Sequence, residues 1–130
     1  MVDNSTLLDT IADMLVDMGY KQTYNDIEID KTMVMGLYLR EAGNPIGTLN
    51  DPNKLQRVDL SIRLHGNTTD GSIKKCEQDL IVITKRLTLC NKEFTGFKIL
   101  GSSLRGRGRM LGKTSKNIPV FNISFLITFN

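Results

Sequence analysis

Between Phe121 and Phe129 every second residue is large and apolar: Phe121, Ile123, Phe125, Ile127 and Phe129. A period of two is the period of a strand, and the segment Ile118 to Phe129 reads as one. That reading decides what the preceding stretch can be. Arg105-Gly-Arg107-Gly-Arg109-Met-Leu-Gly112-Lys113-Thr114 has the outline of a phosphate-binding loop. Such a loop needs G-x-x-x-x-G-K-[ST], so that its backbone N–H groups curl around the phosphates. Here the position five before Gly112 is Arg107, with Gly106 and Gly108 each one residue out of register. A phosphate loop must also open a helix whose N-terminus faces the anion. This one runs through Lys116-Asn117-Ile118-Pro119 into the alternating strand. The sequence therefore argues against nucleotide binding and for a mobile, cationic loop over residues 101–117, a surface that meets a partner.

A chain of 130 residues has room for one core, so residues 1–130 are expected to form a single domain. Charged residues at 24% and hydrophobic residues at 40% are ordinary for a globular domain. No stretch approaches a membrane span, and the start lacks the basic region and apolar run of a signal peptide. The chain is expected to stay in the cytosol where it is made, without contact with a membrane. Cys76 and Cys90 fit that compartment and read as semi-buried thiols, neither a disulfide framework nor a zinc site. His65 is the single histidine, so no multi-histidine metal site can form. The net charge of +3 hides a polarity: residues 1–30 carry seven acids and one base, whereas Phe94 to the C-terminus carries six bases and no acid. Such asymmetry suggests an electrostatic partner or self-association between unlike surfaces.

Thr6 to Met18 reads as a helix, with Thr6-x-x-Asp9 as a capping box and Gly19 as its C-terminal stop. Leu8, Ile11, Leu15 and Met18 mark its apolar face. Asp9, Asp13 and Asp17 stack at i, i+4, i+8 on the other side, either a solvated face or a docking strip for a neighbour's cations. Ile27 and Ile29, between acids, suggest a short strand, and Met33 to Arg40 a second. Residues 41–56, rich in Gly, Pro, Asn and Asp, read as a long loop. Arg57 to His65 is the clearest strand, with Val58, Leu60, Ile62 and Leu64 on one face and Arg57, Asp59, Ser61, Arg63 and His65 on the other. Asp70 or Ser72 is expected to cap a helix running to about Leu87 on Ile73, Cys76, Leu80 and Ile83. Phe94 to Leu100 reads as a strand that precedes the cationic loop. The order α-β-β-β-α-β-β predicts an α+β fold, a mostly antiparallel sheet of four to five strands packed with two helices.

No acid, cysteine or serine stands in a motif with a partner at catalytic spacing, so the chain reads as a non-enzyme with no cofactor or metal. The basic loop has three readings. It can be a plain solvated turn, although three arginines alternating with glycines exceed what a turn needs. It can be a nucleic-acid site, although no aromatic lies between Gly101 and Pro119 to stack on bases. Or it can be an arm that orders on an acidic protein surface through Arg105, Arg107, Arg109, Lys113 and Lys116, and this last reading is preferred.

Two stretches also carry a family likeness. Val58-Asp59-Leu60-Ser61-Ile62-Arg63-Leu64-His65-Gly66, followed by the Ile73–Leu87 helix, is one. Leu111-Gly112-Lys113, turning into Phe121-Asn122-Ile123-Ser124-Phe125, is the other. Together with length and element order they resemble the tail terminator and minor capsid proteins at the neck of long-tailed bacteriophages. The resemblance implies a structural role in the virion: protomers close into a ring, typically a hexamer, that caps the tail tube and meets the head connector. The turn after Lys113, Thr-Ser-Lys-Asn, departs from the family, which usually has acids there. Alternatives are another neck adaptor or head-closure protein, or a small nucleic-acid-binding protein using the Arg-Gly loop.

Overall fold

The computed structural model describes residues 4–24, 30–41 and 55–130. Helix α1 (Asn4–Met14) and a 3-10 turn (Val16–Met18) lead into β1 (Lys21–Tyr24) and β2 (Val34–Glu41). There follow β3 (Gln56–His65), α2 (Ser72–Leu87), β4 (Cys90–Phe94), β5 (Phe97–Leu104), β6 (Arg109–Lys113) and β7 (Pro119–Phe129). The fold is α+β, with two α-helices and seven strands among the described residues. The strands form one sheet in the order β1-β2-β3-β7-β5-β4, with β6 also on β7. Only β1–β2 is parallel, so the sheet is mixed, and the expected four or five strands fall short.

The long alternating segment is the spine. Phe121, Ile123, Phe125, Ile127 and Phe129 of β7 are all buried, and the residues between them are half-buried. On one side β7 pairs with the whole of β3, from Gln56↔Phe129 to His65↔Val120. Directly opposed residues share a face of the sheet. The pairing therefore puts Val58, Leu60, Ile62 and Leu64 beside the β7 aromatics, and Met35 and Leu37 of β2 continue the layer. Leu7, Leu8, Ile11 and Leu15 from α1 and Cys76, Leu80, Ile83 and Leu87 from α2 close over the same face. Burial of each such side chain contributes about 1.5–3 kcal/mol. Both helices cover one face of the sheet, and no described element covers its other, open face.

Several sequence expectations change. The segment 101–117 is not one loop: β5 runs to Leu104, β6 occupies Arg109–Lys113, and both pair antiparallel with β7. The chain follows the edge of β7 as one broken strand. Residues 105–108 bulge out between the Leu104↔Phe125 and Arg109↔Asn122 pairs, where β7 spends only Ile123 and Ser124. The physical reason lies in the glycines. Gly106 has φ +153°, and a Cβ on Gly108 would stand 3.0 Å from Leu80 and 3.2 Å from Ile123. Alternate glycines thus let the chain leave the ladder and return to it against α2.

The cap of α2 is Gly71 in the left-handed region, not Asp70 or Ser72, and the Ser72 hydroxyl donates instead to the Asn67 carbonyl. Thr6 lies inside α1, which begins at Asn4. Gly19 does stop the first helical segment, with φ +89°. Residues 90–94 form a strand the sequence reading missed, the hairpin partner of β5. The strand expected around Ile27 and Ile29 lies outside the described residues, as do 42–54 of the expected 41–56 loop. Cys76 is fully buried and Cys90 exposed, and both are free thiols. His65, expected on the polar face, is 3% exposed.

Candidate interaction surface

The open face of the sheet is built by the residues that alternate with the core. The register aligns them in rows across the strands. Gly36, Arg63, Asn122 and Arg109 form one row through β2, β3, β7 and β6. Tyr38, Ser61 and Ser124 form the next, with the Arg105 N–H donating to the Ser124 carbonyl at 2.8 Å. Arg40, Asp59, Leu126 and Ser103 form a third, and Arg57 and Thr128 a fourth. A recess of about 450 Å³ lies over this face between Tyr38, Arg40, Asp59, Ser61, Arg63, Leu111 and Asn122. On the other side of Asn122 a second, of about 460 Å³, is bordered by Arg105, Arg107, Arg109 and Ser124.

Charge on this face is one-sided. Asp59 accepts a hydrogen bond from Arg105 Nε at 2.8 Å, a bridge that crosses β7. Among the described residues, no carboxylate lies within ion-pair distance of Arg40, Arg57, Arg63 or Arg109. The β3 arginines were visible in the sequence as the polar half of an alternation. Their meeting with Arg109 was not, because it needs β3 and β6 to flank β7. Tyr38 and Arg40 carried no signal of their own.

The five bases of the cationic stretch are dispersed. Arg105 and Arg109 join the open face, and Arg107 stands exposed on the bulge. A second irregularity, at Gly112 with φ +145°, turns Lys113 away toward the start of α2, beside Asn117 and Pro119. Lys116 lies 3.5 Å from Asp30. The three acids of the first helix are also unequal. Asp17 is held by the Arg86 guanidinium, which also donates to the Met14 carbonyl at 3.1 Å and so ties α2 to the end of α1. That hydrogen bond keeps the Asp17 carboxyl below its ordinary proton affinity and raises that of Arg86. Asp9 accepts a hydrogen bond from the Tyr24 hydroxyl at 2.9 Å. Asp13 is exposed and has no hydrogen-bond or ion-pair partner among the described residues. Asp9 and Asp13 lie on the helix layer, on the opposite side of the molecule from the arginine face.

One buried polar cluster lies away from this surface. The Tyr20 hydroxyl donates to Asp79 at 2.5 Å and sits 3.6 Å from Cys76 Sγ, while Lys75 Nζ lies 4.8 Å from the ring centre and 2.7 Å from Asp79. Burial raises the Tyr20 proton affinity, with Asp79 and Cys76 adding to it. Burial likewise raises that of Cys76, against a smaller opposing effect of its Tyr20 contact. Both groups stay protonated at neutral pH, the opposite of an activated nucleophile. The cluster ties the segment after α1 to α2.

No group of three or more His, Cys, Asp or Glu among the described residues is placed to hold a metal ion. None of their helices is long and apolar enough to cross a membrane. Compared with protein-family models and with curated proteins, the chain matches none. The fold and surface define a two-layer α+β protein with one helix-covered face and one open, arginine-rich sheet face.

Proposed function

We propose that the chain is a structural, non-enzymatic component of a long-tailed phage neck: a protomer of a ring, of the hexameric kind, that caps the tail tube and meets the head connector. The observation that carries this reading is the adjacency of the two stretches with the family likeness. β3, with the turn into α2, lies hydrogen-bonded along its whole length to β7, which follows Leu111-Gly112-Lys113. They form one continuous unit at the centre of the sheet. Ring closure also needs two unlike faces on each protomer, and this molecule has them. The role needs no cofactor, and it places the protein in the virion after synthesis in the host cytoplasm.

The test uses tail tubes assembled from the tube protein, mixed with the purified chain and viewed by electron microscopy. A ring-shaped cap at one tube end is the expected result. Tubes that stay bare, with no rings in their presence or absence, reject the reading.

The bare arginine face with Tyr38 favours a second reading, a single-stranded nucleic-acid binder. A phosphate-binding face loses affinity steeply with salt, by roughly three to five decades between 50 and 200 mM for six to ten phosphate contacts. Oligonucleotide titrations across that range decide between the two.

A further inference from the structure

We propose that the open sheet face is the seat for the acidic α1 face of a second copy of this chain. The proposal rests on the ring reading and names its two mating surfaces. The first surface is the set of arginines around Asn122: Arg40, Arg63 and Arg109, exposed and without a described carboxylate partner. The second is the outer side of α1. Asp9 and Asp13 stand one turn apart there, Val16 is 66% exposed just beyond, and Tyr24 holds the Asp9 carboxylate from β1. Asp17 is excluded because Arg86 of the same chain already holds it.

Three features favour this occupant over others. The charges are complementary, with guanidinium groups that have no described carboxylate partner on one surface and carboxylates that have no described cationic partner on the other. The surfaces lie on opposite layers of the molecule, so the contact is head-to-tail and leaves each copy free to bind the next, as a closed ring requires. Sizes also agree. Three strand spacings carry the Gly36–Arg63–Asn122–Arg109 row across roughly 14 Å, and an eleven-residue α1 is about 16 Å long. Apolar contact is available from Val16 on one surface and Leu111, 48% exposed, on the other. The ion pairs would select the partner and set the register, while the apolar groups and the sheet surface supply area.

A reciprocal charge exchange tests the pairing. One variant carries Asp9→Lys and Asp13→Lys; the other carries Arg40→Glu, Arg63→Glu and Arg109→Glu. Circular dichroism and thermal melting check that each is folded, and sedimentation velocity with electron microscopy, in the presence and absence of tail tubes, reads assembly. The expected result is that wild type assembles, each variant alone sediments as a monomer, and an equimolar mixture regains rings of alternating variants. If both variants assemble alone as wild type does, this pairing is wrong and the ring reading stands. Loss in both variants without recovery on mixing also overturns it, since the two surfaces then do not meet each other. A wild type that never associates and leaves tubes bare ends both ideas. If that monomer binds oligonucleotides through the three arginines, the face serves nucleic acid instead.

Discussion

At the scale of single residues, polar groups inside this protein hold elements together, and two of them are open to measurement. Tyr20 reaches from the segment after α1 to Asp79 and Cys76 on α2. Removing its hydroxyl in Tyr20→Phe is expected to lower stability by about 1 kcal/mol in urea unfolding, the net worth of a typical hydrogen bond. His65 is buried, and its Nδ1 lies 3.1 Å from the Lys31 carbonyl. Burial lowers its proton affinity below the ordinary 6.5; the Lys31 contact opposes this and the nearby Arg63 adds to it. The unfolded chain therefore takes up this proton at higher pH than the native protein does. The histidine's contribution is fully present above about pH 6.5 and is lost as pH falls through the lowered native value. Asp17, whose native value is lowered from 3.8, acts in the same direction at more acid pH. Unfolding midpoints of wild type should fall between pH 7 and 5, and His65→Gln should flatten that fall. An equal slope in both proteins would show that the histidine is not responsible.

At the scale of elements, the glycines explain why an apparent loop is half strand. A side chain at Gly106 would be strained at φ +153° where the chain leaves the β7 ladder, and one at Gly108 would push on Leu80 and Ile123 where it returns. The segment 109–113 is consequently paired rather than free. Hydrogen exchange tests this directly: amides of β6 should exchange far more slowly than those of 106–108. Equal, rapid exchange through both would restore the loop reading. A second close approach occurs at Gly66, where a Cβ would meet Cys76 Sγ at 2.8 Å and Pro119 Cγ at 2.9 Å. Gly66→Ala forces the end of β3 away from α2 and β7, and a loss of about 1–3 kcal/mol is expected from such overpacking.

At the scale of the whole molecule, Asp9 and Asp13 lie on the helix layer, while Arg105 and Arg109 join Arg40 and Arg63 on the other face of the sheet. A ring built on them should weaken with salt, because exposed ion pairs are screened within about 8 Å at physiological ionic strength. Changing Arg105, Arg107 and Arg109 together to Ala should leave the fold within about 1 kcal/mol of wild type, since the one bridge lost among the described residues, Arg105–Asp59, is partly exposed. Assembly on tail tubes should nonetheless fail, as Arg109 and the bulge border the proposed seat. Normal capping by this triple variant would remove the stretch from the interface. In the proposed ring, burial of the arginines under a neighbour would also keep them from lining a DNA-conducting bore, where they would hold the phosphate backbone.

Local chemistry alone determined the parts of this fold that repeat. The period-two rows of β3 and β7, the helical spacing of α2 and the Gly19 stop are dictated by side-chain direction and backbone sterics, which neighbouring residues set for themselves. Charge polarity was legible for the same reason, being only a count along the chain. Tertiary structure decided the rest. Arg63 and Arg109 become neighbours only because β7 hydrogen-bonds β3 on one side and β6 on the other, a pairing made by residues dozens of positions apart. The same pairing turns alternating glycines from a flexible arm into a bulge and spends Arg105 on Asp59, while the packing of α2 beside the end of α1 spends Asp17 on Arg86 and His65 is buried at the end of β3. Spacing in sequence records which face of a strand a residue takes; only the register between strands records what it meets there.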